Sequence, residues 1–177
     1  MAITKVAAGT VPYPSTGTSA TFTLSLTGRG VQAGDVIVFF VTTNSTVNTE
    51  LTLPADATSL RSMNSVGVGV SCGVYWWQAP ASVPSSVSFG WGTARRGDLA
   101  WVHLRGPDLV SNGFLASEWL AADASNHPIP QVTTTAPNTF LLTGLALGAG
   151  SETPNLPSGW SREVDAQERE GSIASRT

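Results

Sequence analysis

"DVIVFFV", residues 35–41, is the stretch that decides the fold. After the aspartate, the even-numbered and the odd-numbered positions are equally apolar. A strand with one solvated face alternates between apolar and polar residues, whereas a strand that is buried on both faces is apolar throughout. The stretch therefore predicts a central strand in a sheet that is covered on both sides.

Four further segments around this strand have strand patterns. "TFTLSLT" (21–27) and "SVSFGW" (86–91) alternate, whereas "DLAWVHLRG" (98–106) and "NTFLLTGLALG" (138–148) are mostly apolar. Clusters of Pro and Gly separate the segments. One short helix is predicted in "SNGFLASEWLAAD" (111–123). We expect an all-β fold, an antiparallel β-sandwich or a jelly-roll-like arrangement, with at most one or two short helices.

Three parts of the chain differ in composition. Residues 1–18 are rich in Thr, Gly and Pro after a short strand-like segment and are predicted to form an N-terminal arm. Residues 19–160 contain the strand patterns and are predicted to form the sandwich domain. Residues 161–177 are rich in charge and predict an edge strand or a tail, because charges on an edge discourage unwanted pairing.

Composition argues against several classes of function. Charged residues make up 12% of the chain and the net charge is −3, so the basic surface of a nucleic-acid-binding protein is missing. A single cysteine gives no disulfide framework, and we expect no metal and no cofactor because neither metal-ligand spacing nor a cofactor motif is present. No stretch approaches the roughly 18 apolar residues of a membrane span, and the first residues do not resemble a signal peptide. We expect synthesis in the cytoplasm and no membrane insertion.

Residues 69–73, "GVSCG", match G-x-S-x-G, the pattern of a hydrolase nucleophile elbow. That elbow is a tight turn from a strand into a helix, whereas residues 74–77 are the strand formers "VYWW". The segment is therefore predicted to be a strand, and the chain is not predicted to be an enzyme. The even positions from 66 to 76 form the predicted core face. The odd face carries small side chains and is a candidate subunit-contact face, formed by Gly67, Gly69, Ser71 and Gly73.

The histidines and aspartates have structural interpretations. His103 lies in an apolar strand and is predicted to be hydrogen-bonded there, and His127 is predicted to lie in a loop. Asp35, like most of the aspartates, lies at a turn, where a carboxylate bonds the local backbone. A catalytic triad would need a histidine near Ser71, and nothing in the sequence places one there. A hydrolase that uses Ser71 is therefore the last of three hypotheses about function, after the structural and the sugar-binding hypotheses given below.

Six tryptophans provide a second hypothesis. Trp76, Trp91 and Trp101 lie on apolar strand faces and are predicted to be in the core. Trp77 and Trp160 are the candidates for exposure. Exposed aromatic rings can stack on sugars, so the alternative function is a carbohydrate-binding module that uses these two side chains.

The order of motifs resembles a β-sandwich module in virion proteins of tailed bacteriophages, especially phages of actinobacteria. The resemblance covers about residues 33–165. It lies in a Gly-Asp that opens an apolar strand, an aromatic "VYWW" strand, an apolar strand that ends at "RGPD", a "TTT" segment and a "PSGW" turn. The "RGPD" turn varies from the pattern by one residue, and the module would be expected to add a further apolar strand after position 177.

This resemblance implies a structural, non-enzymatic role in a virion. The position would be that of a minor tail protein or of a capsid decoration protein, made in the host cytoplasm. The expected partners are further copies of the chain, as a trimer or larger, and other virion proteins. A contact with glycans on the host surface is also expected.

Overall fold

The computed structural model describes residues 3–12, 21–43, 51–64, 71–91, 97–106, 140–146, 156, 158–165 and 171–176. Every regular element in these ranges is a strand, and all pairs of neighbouring strands are antiparallel. The predicted all-β fold is thus confirmed, whereas the predicted helix at 111–123 lies outside the described residues. The strands are β1 (Thr4–Pro12), β2 (Thr21–Ser25), β3 (Val36–Thr43), β4 (Leu51–Thr52), β5 (Ala57–Asn64), β6 (Ser71–Gln78), β7 (Ser86–Trp91), β8 (Gly97–Arg105), β9 (Leu141–Ala146), β10 (Ser161–Asp165) and β11 (Gly171–Arg176).

A five-stranded sheet in the order β1-β8-β3-β6-β5 forms the middle layer. Strand β3, which contains most of the opening stretch, is its central strand, as its sequence predicts. Two three-stranded sheets, β2-β7-β4 and β10-β11-β9, complete the described fold. Alternation in β3 sends Ile37 and Phe39 into one apolar core and Val36 and Val38 into another.

The first core lies between the five-stranded sheet and the β2-β7-β4 sheet. Phe39 and Phe89, from opposite sheets, meet edge to face with ring centroids 4.8 Å apart. Leu99 and Trp101 of β8 belong to the same core. On the other face of the five-stranded sheet, Phe140 and the β9 residue Leu142 pack against the second core, which Val36, Val38, Ala100, Val102 and Leu104 form. The described fold therefore has three layers of sheet.

The terminal parts of the chain contribute strands. Residues 1–18, for which the sequence predicts an arm, contain β1, which pairs along β8 from Thr4 to Pro12. Residues 4–12 are therefore part of the five-stranded sheet. The charged stretch 161–177 contains β10 and β11, and β11 lies between β10 and β9.

Candidate functional site

The candidate site is a cluster of the buried Asp35 and His103 with the partly exposed Arg105, where β3 begins and β8 ends. Val36 of β3 lies opposite Leu104 of β8. One residue further along, the antiparallel register brings Asp35 opposite Arg105. Because side chains alternate, His103 and Arg105 lie on the same face of β8, so both can reach the carboxylate.

The Asp35 carboxylate accepts hydrogen bonds from three directions. Arg105 approaches with two nitrogens, Nε at 2.8 Å from Oδ1 and Nη2 at 2.7 Å from Oδ2. His103 places Nε2 at 2.7 Å from Oδ2, and the backbone N–H of Gln32 donates to Oδ2 at 2.8 Å. The two-pronged contact of Arg105 matches the planar guanidinium to the planar carboxylate, which is the strongest geometry for such a pair.

Burial and hydrogen bonding act in opposite directions on the pKa of Asp35. Burial raises this pKa, because the side chain is only 4% exposed. The hydrogen bonds from Arg105, from the Gln32 N–H and from His103 favour the ionised carboxylate and outweigh burial, so the pKa falls to about 2. The same pair raises the pKa of Arg105. Asp35 and Arg105 thus form an ion pair at neutral pH.

The cluster also fastens the loop that precedes β3. Nη2 of Arg105 donates to the carbonyl oxygen of Gly30 at 2.7 Å. Gly30 has a φ of 66°, a conformation that glycine adopts without strain. On the other side of the loop, the N–H of Ala79 donates to the carbonyl oxygen of Asp35 at 2.8 Å. The loop is therefore bound both to β8 and to the residue that follows β6.

A second basic residue adds to this attachment. Nε of Arg29 donates to the carbonyl oxygen of Ser25 at 2.6 Å, and its guanidinium carbon lies 4.6 Å from the centroid of the Trp101 ring. A cation over an indole face is attracted by the negative charge density of the ring. Arg29 therefore holds the loop over the edge of the first core.

The geometry of the cluster suits stability rather than catalysis. His103 is 0% exposed, and its Nε2 is directed at a carboxylate, which can only accept, so Nε2 carries the hydrogen. A general base must reach a proton of the substrate, and this ring does not reach the surface. Its other nitrogen, Nδ1, has no hydrogen-bond partner among the described residues. In the same residues no group of three or more His, Cys, Asp or Glu side chains could hold a metal ion.

The structure answers the question of the G-x-S-x-G segment. Strand β6 begins at Ser71 and continues to Gln78, paired with β3 on one side and with β5 on the other. The predicted strand is confirmed, because the elbow of a hydrolase would turn into a helix directly after the serine. Gly67 and Gly69 of the candidate subunit-contact face lie outside the described residues.

The prediction for the odd face of β6 is wrong, because this face lies in a core, whereas the even face packs against a core as predicted. The odd-numbered Tyr75 and Trp77 belong to the first core, whereas the even-numbered Val74 and Trp76 are half-buried against the second core. Gly73 faces inward as well, and a Cβ at this position would overlap the Tyr75 hydroxyl. The ring that covers the glycine thus comes from its own strand, and Gly73 is not available to a neighbouring subunit.

The prediction that Trp77 is exposed is also wrong. Trp77 is 2% exposed and packs in the first core, so its ring is closed to a sugar. The other member of the proposed pair, Trp160, is half-buried immediately before β10. Of the tryptophans assigned to the core, Trp101 is confirmed at 2% exposure. Because Trp77 is buried, the exposed aromatic pair on which the carbohydrate-binding hypothesis depends is not present.

Sequence reasoning located two members of the cluster and missed the third. The predicted hydrogen-bonded strand histidine, His103, is confirmed, and so is the local turn role of Asp35, which bonds Gln32. The local pattern predicts no such role for Arg105, which stands at the start of the "RGPD" turn. A usable signal was present: an Asp directly before a fully apolar strand, and a His-x-Arg at the end of another. A polar group that is buried at such a position needs a hydrogen-bonding or charged partner.

No protein-family model, curated protein or solved structure matches the chain. In the described part of the molecule, no helix is long and apolar enough to cross a membrane.

Proposed function

We propose that this chain is a non-enzymatic structural protein of a bacteriophage virion, either a minor tail protein or a capsid decoration protein. It assembles with further copies of itself, as a trimer or larger, and with other virion proteins. The order of the strand motifs over residues 33–165 supports the phage assignment. The use of the buried ionisable groups for stability supports a role without catalysis.

One exposed side chain carries the proposal of assembly. Val6 is 39% exposed. Among the side chains that the structure describes, it is the only large hydrophobic one that is exposed. It lies in β1, an edge strand of the five-stranded sheet as described, at the point where the register with β8 shifts between Lys5 and Ala7. Such a bulge turns a side chain outward and interrupts the regular edge. An exposed apolar side chain at an irregular edge supports the proposal that β1 contacts another subunit.

Light scattering coupled to size-exclusion chromatography tests the assembly over a range of protein concentrations. We expect the mass of a trimer or a larger closed oligomer. Val6→Lys should lower this mass, because a charge cannot enter an apolar contact without partners. The matched control is Thr23→Lys, which puts the same charge on the exposed face of β2 and should leave the mass unchanged. A monomer at every concentration, or equal masses for Val6→Lys and the original chain, would contradict assembly through β1.

The virion assignment has a separate test. Antibodies raised against the chain should label the tail or the shell of virions of the encoding phage in electron micrographs. The labelled part distinguishes the minor tail protein from the decoration protein. Particles that carry no label, whether intact or partly disassembled, would contradict the assignment. The binding of purified virions to host cells should also be compared with and without added host glycans, because adhesion to the host surface is part of the proposed role.

A further inference from the structure

The apolar patterns of β3 and β8 do not specify how the two strands align. Ile37, Phe39 and Val41 face the first core from β3, and Leu99 and Trp101 face it from β8. The opposite faces of both strands are apolar too. If β8 slid by two residues along β3, the apolar side chains of both strands would stay on the faces they occupy now. A slip by one residue would exchange the two faces of a strand, whereas a slip by two residues keeps every side chain on its own face, so alternation alone does not exclude it.

The polar cluster, in contrast, fits one alignment. In the observed register Val36 lies opposite Leu104 and Ile37 lies opposite His103, which brings Asp35 beside Arg105. Sliding by two residues in one direction would put Arg105 opposite Ile37. Sliding in the other direction would put Asp35 opposite His103 and leave the guanidinium without the carboxylate. Either shift would separate a buried carboxylate from the partner that neutralises it.

We propose that the Asp35–His103–Arg105 cluster is a register lock, which selects one alignment of β3 and β8 among several that the apolar cores would accept. The lock acts through contacts between residues 68 and 70 positions apart in sequence. Because Arg105 also holds the Gly30 carbonyl oxygen, the same contacts fix the loop before β3. This role is independent of the proposed virion function.

A variant without the cluster tests the lock. The triple substitution Asp35→Leu, His103→Leu and Arg105→Met replaces the charges by apolar groups, which a buried site often accepts without loss of stability. Val102→Ala is the matched control, because it weakens the second core between the same two strands and leaves the cluster intact. The readout is nuclear magnetic resonance of the isotope-labelled full chain. Contacts between backbone protons report which residue of β8 lies opposite Val38.

In the original chain and in Val102→Ala, we expect one set of resonances, with Val38 opposite residue 102 as in the structure. In the triple variant, we expect additional contacts from Val38 to Ala100 or Leu104, together with more than one set of resonances for β3 and β8. A triple variant with a single set of resonances and only the original contact would overturn the proposal.

A second variant keeps the test decisive if the triple variant does not fold. Arg105→Met removes the two-pronged contact and leaves the bond between His103 and Asp35. We expect a minor second set of resonances from residues of β3 and β8. If Arg105→Met has a lower midpoint of denaturation but only one set of resonances and the original contacts, the cluster contributes stability without selecting the register, and the proposal is wrong.

Discussion

Acidification should destabilise this protein through Asp35 in a pH window that follows from the structure. The pKa of Asp35 is about 2 in the folded chain, against an ordinary value of 3.8. The folded state therefore binds this proton more weakly than the unfolded state does. A carboxylate with a lowered pKa stabilises the fold fully above its unfolded pKa and loses that contribution as the pH falls through its folded pKa.

The difference between the two pKa values corresponds to about 2 kcal/mol of stability at neutral pH. This contribution should be intact above about pH 5, reduced by about 1 kcal/mol at about pH 3, and lost below about pH 2. Asp35 is buried, so screening by solvent removes little of it.

Urea denaturation at a series of pH values measures the effect, with Asp35→Asn as the reference. Other carboxylates titrate in the same range, so the informative quantity is the difference in unfolding free energy between the two proteins. Asparagine has nearly the shape of aspartate but cannot ionise. We expect Asp35→Asn to be less stable at neutral pH and the difference to narrow by about 1 kcal/mol between about pH 6 and about pH 3. A difference that stays constant over this range would refute the reasoning.

Three further predictions concern the first core. Gly9→Ala places a Cβ 2.9 Å from Cζ2 of Trp101, and we expect urea denaturation to show a loss of about 1–3 kcal/mol in unfolding free energy. When Trp101→Phe is added, the combined loss should be smaller than the sum of the two single losses. Additive losses would argue against the contact. Trp77→Ala should cost about 3–5 kcal/mol, because the ring is buried, and a loss under about 1 kcal/mol would contradict its position. Arg29→Ala should cost about 0.5–1 kcal/mol and change the tryptophan fluorescence of the chain, and this change should disappear when Trp101→Phe is already present. Arg29→Lys should retain part of the cation contact. An unchanged fluorescence in Arg29→Ala would count against the contact.

Much of the fold follows from local patterns in the sequence. The alternation in "TFTLSLT" predicts that Phe22 and Leu24 are buried while Thr21 and Thr23 face solvent, as in β2. The continuous apolar run at 36–41 predicts a central strand, and β3 has both faces covered. These predictions succeed because side-chain alternation is a property of a strand by itself and does not depend on which strand pairs with it.

The faces of β6 show where local pattern fails. Tyr75 and Trp77 alternate with Val74 and Trp76, so both faces of the strand are apolar and composition does not identify the more deeply buried one. The small residues at odd positions predict a face that a neighbouring ring, backbone or subunit approaches closely. In the structure the space beside Gly73 is filled by the ring of Tyr75, two residues further along the same strand. Gly73 therefore marks a close contact, as predicted, but the neighbour is Tyr75 of the same strand and not another element or subunit.

The cluster could not be derived from the sequence for a different reason. Asp35 and Arg105 are 70 residues apart, and their contact depends on the pairing of β3 with β8. Local signals place each residue at the end of a strand. They do not state that these two strands are neighbours, or in which register. Buried charges supply this information only once the requirement for a partner is applied to all strand ends together.

Polar contacts and bulges thus determine features of strand pairing that the apolar pattern leaves open. The apolar pattern determines which residues are buried, and the cluster selects how the inner strands align. At the two outer strands of the described five-stranded sheet, the register shifts between Lys5 and Ala7 in β1 and between Ser59 and Arg61 in β5. Bulges at such positions hinder open-ended pairing between sheets.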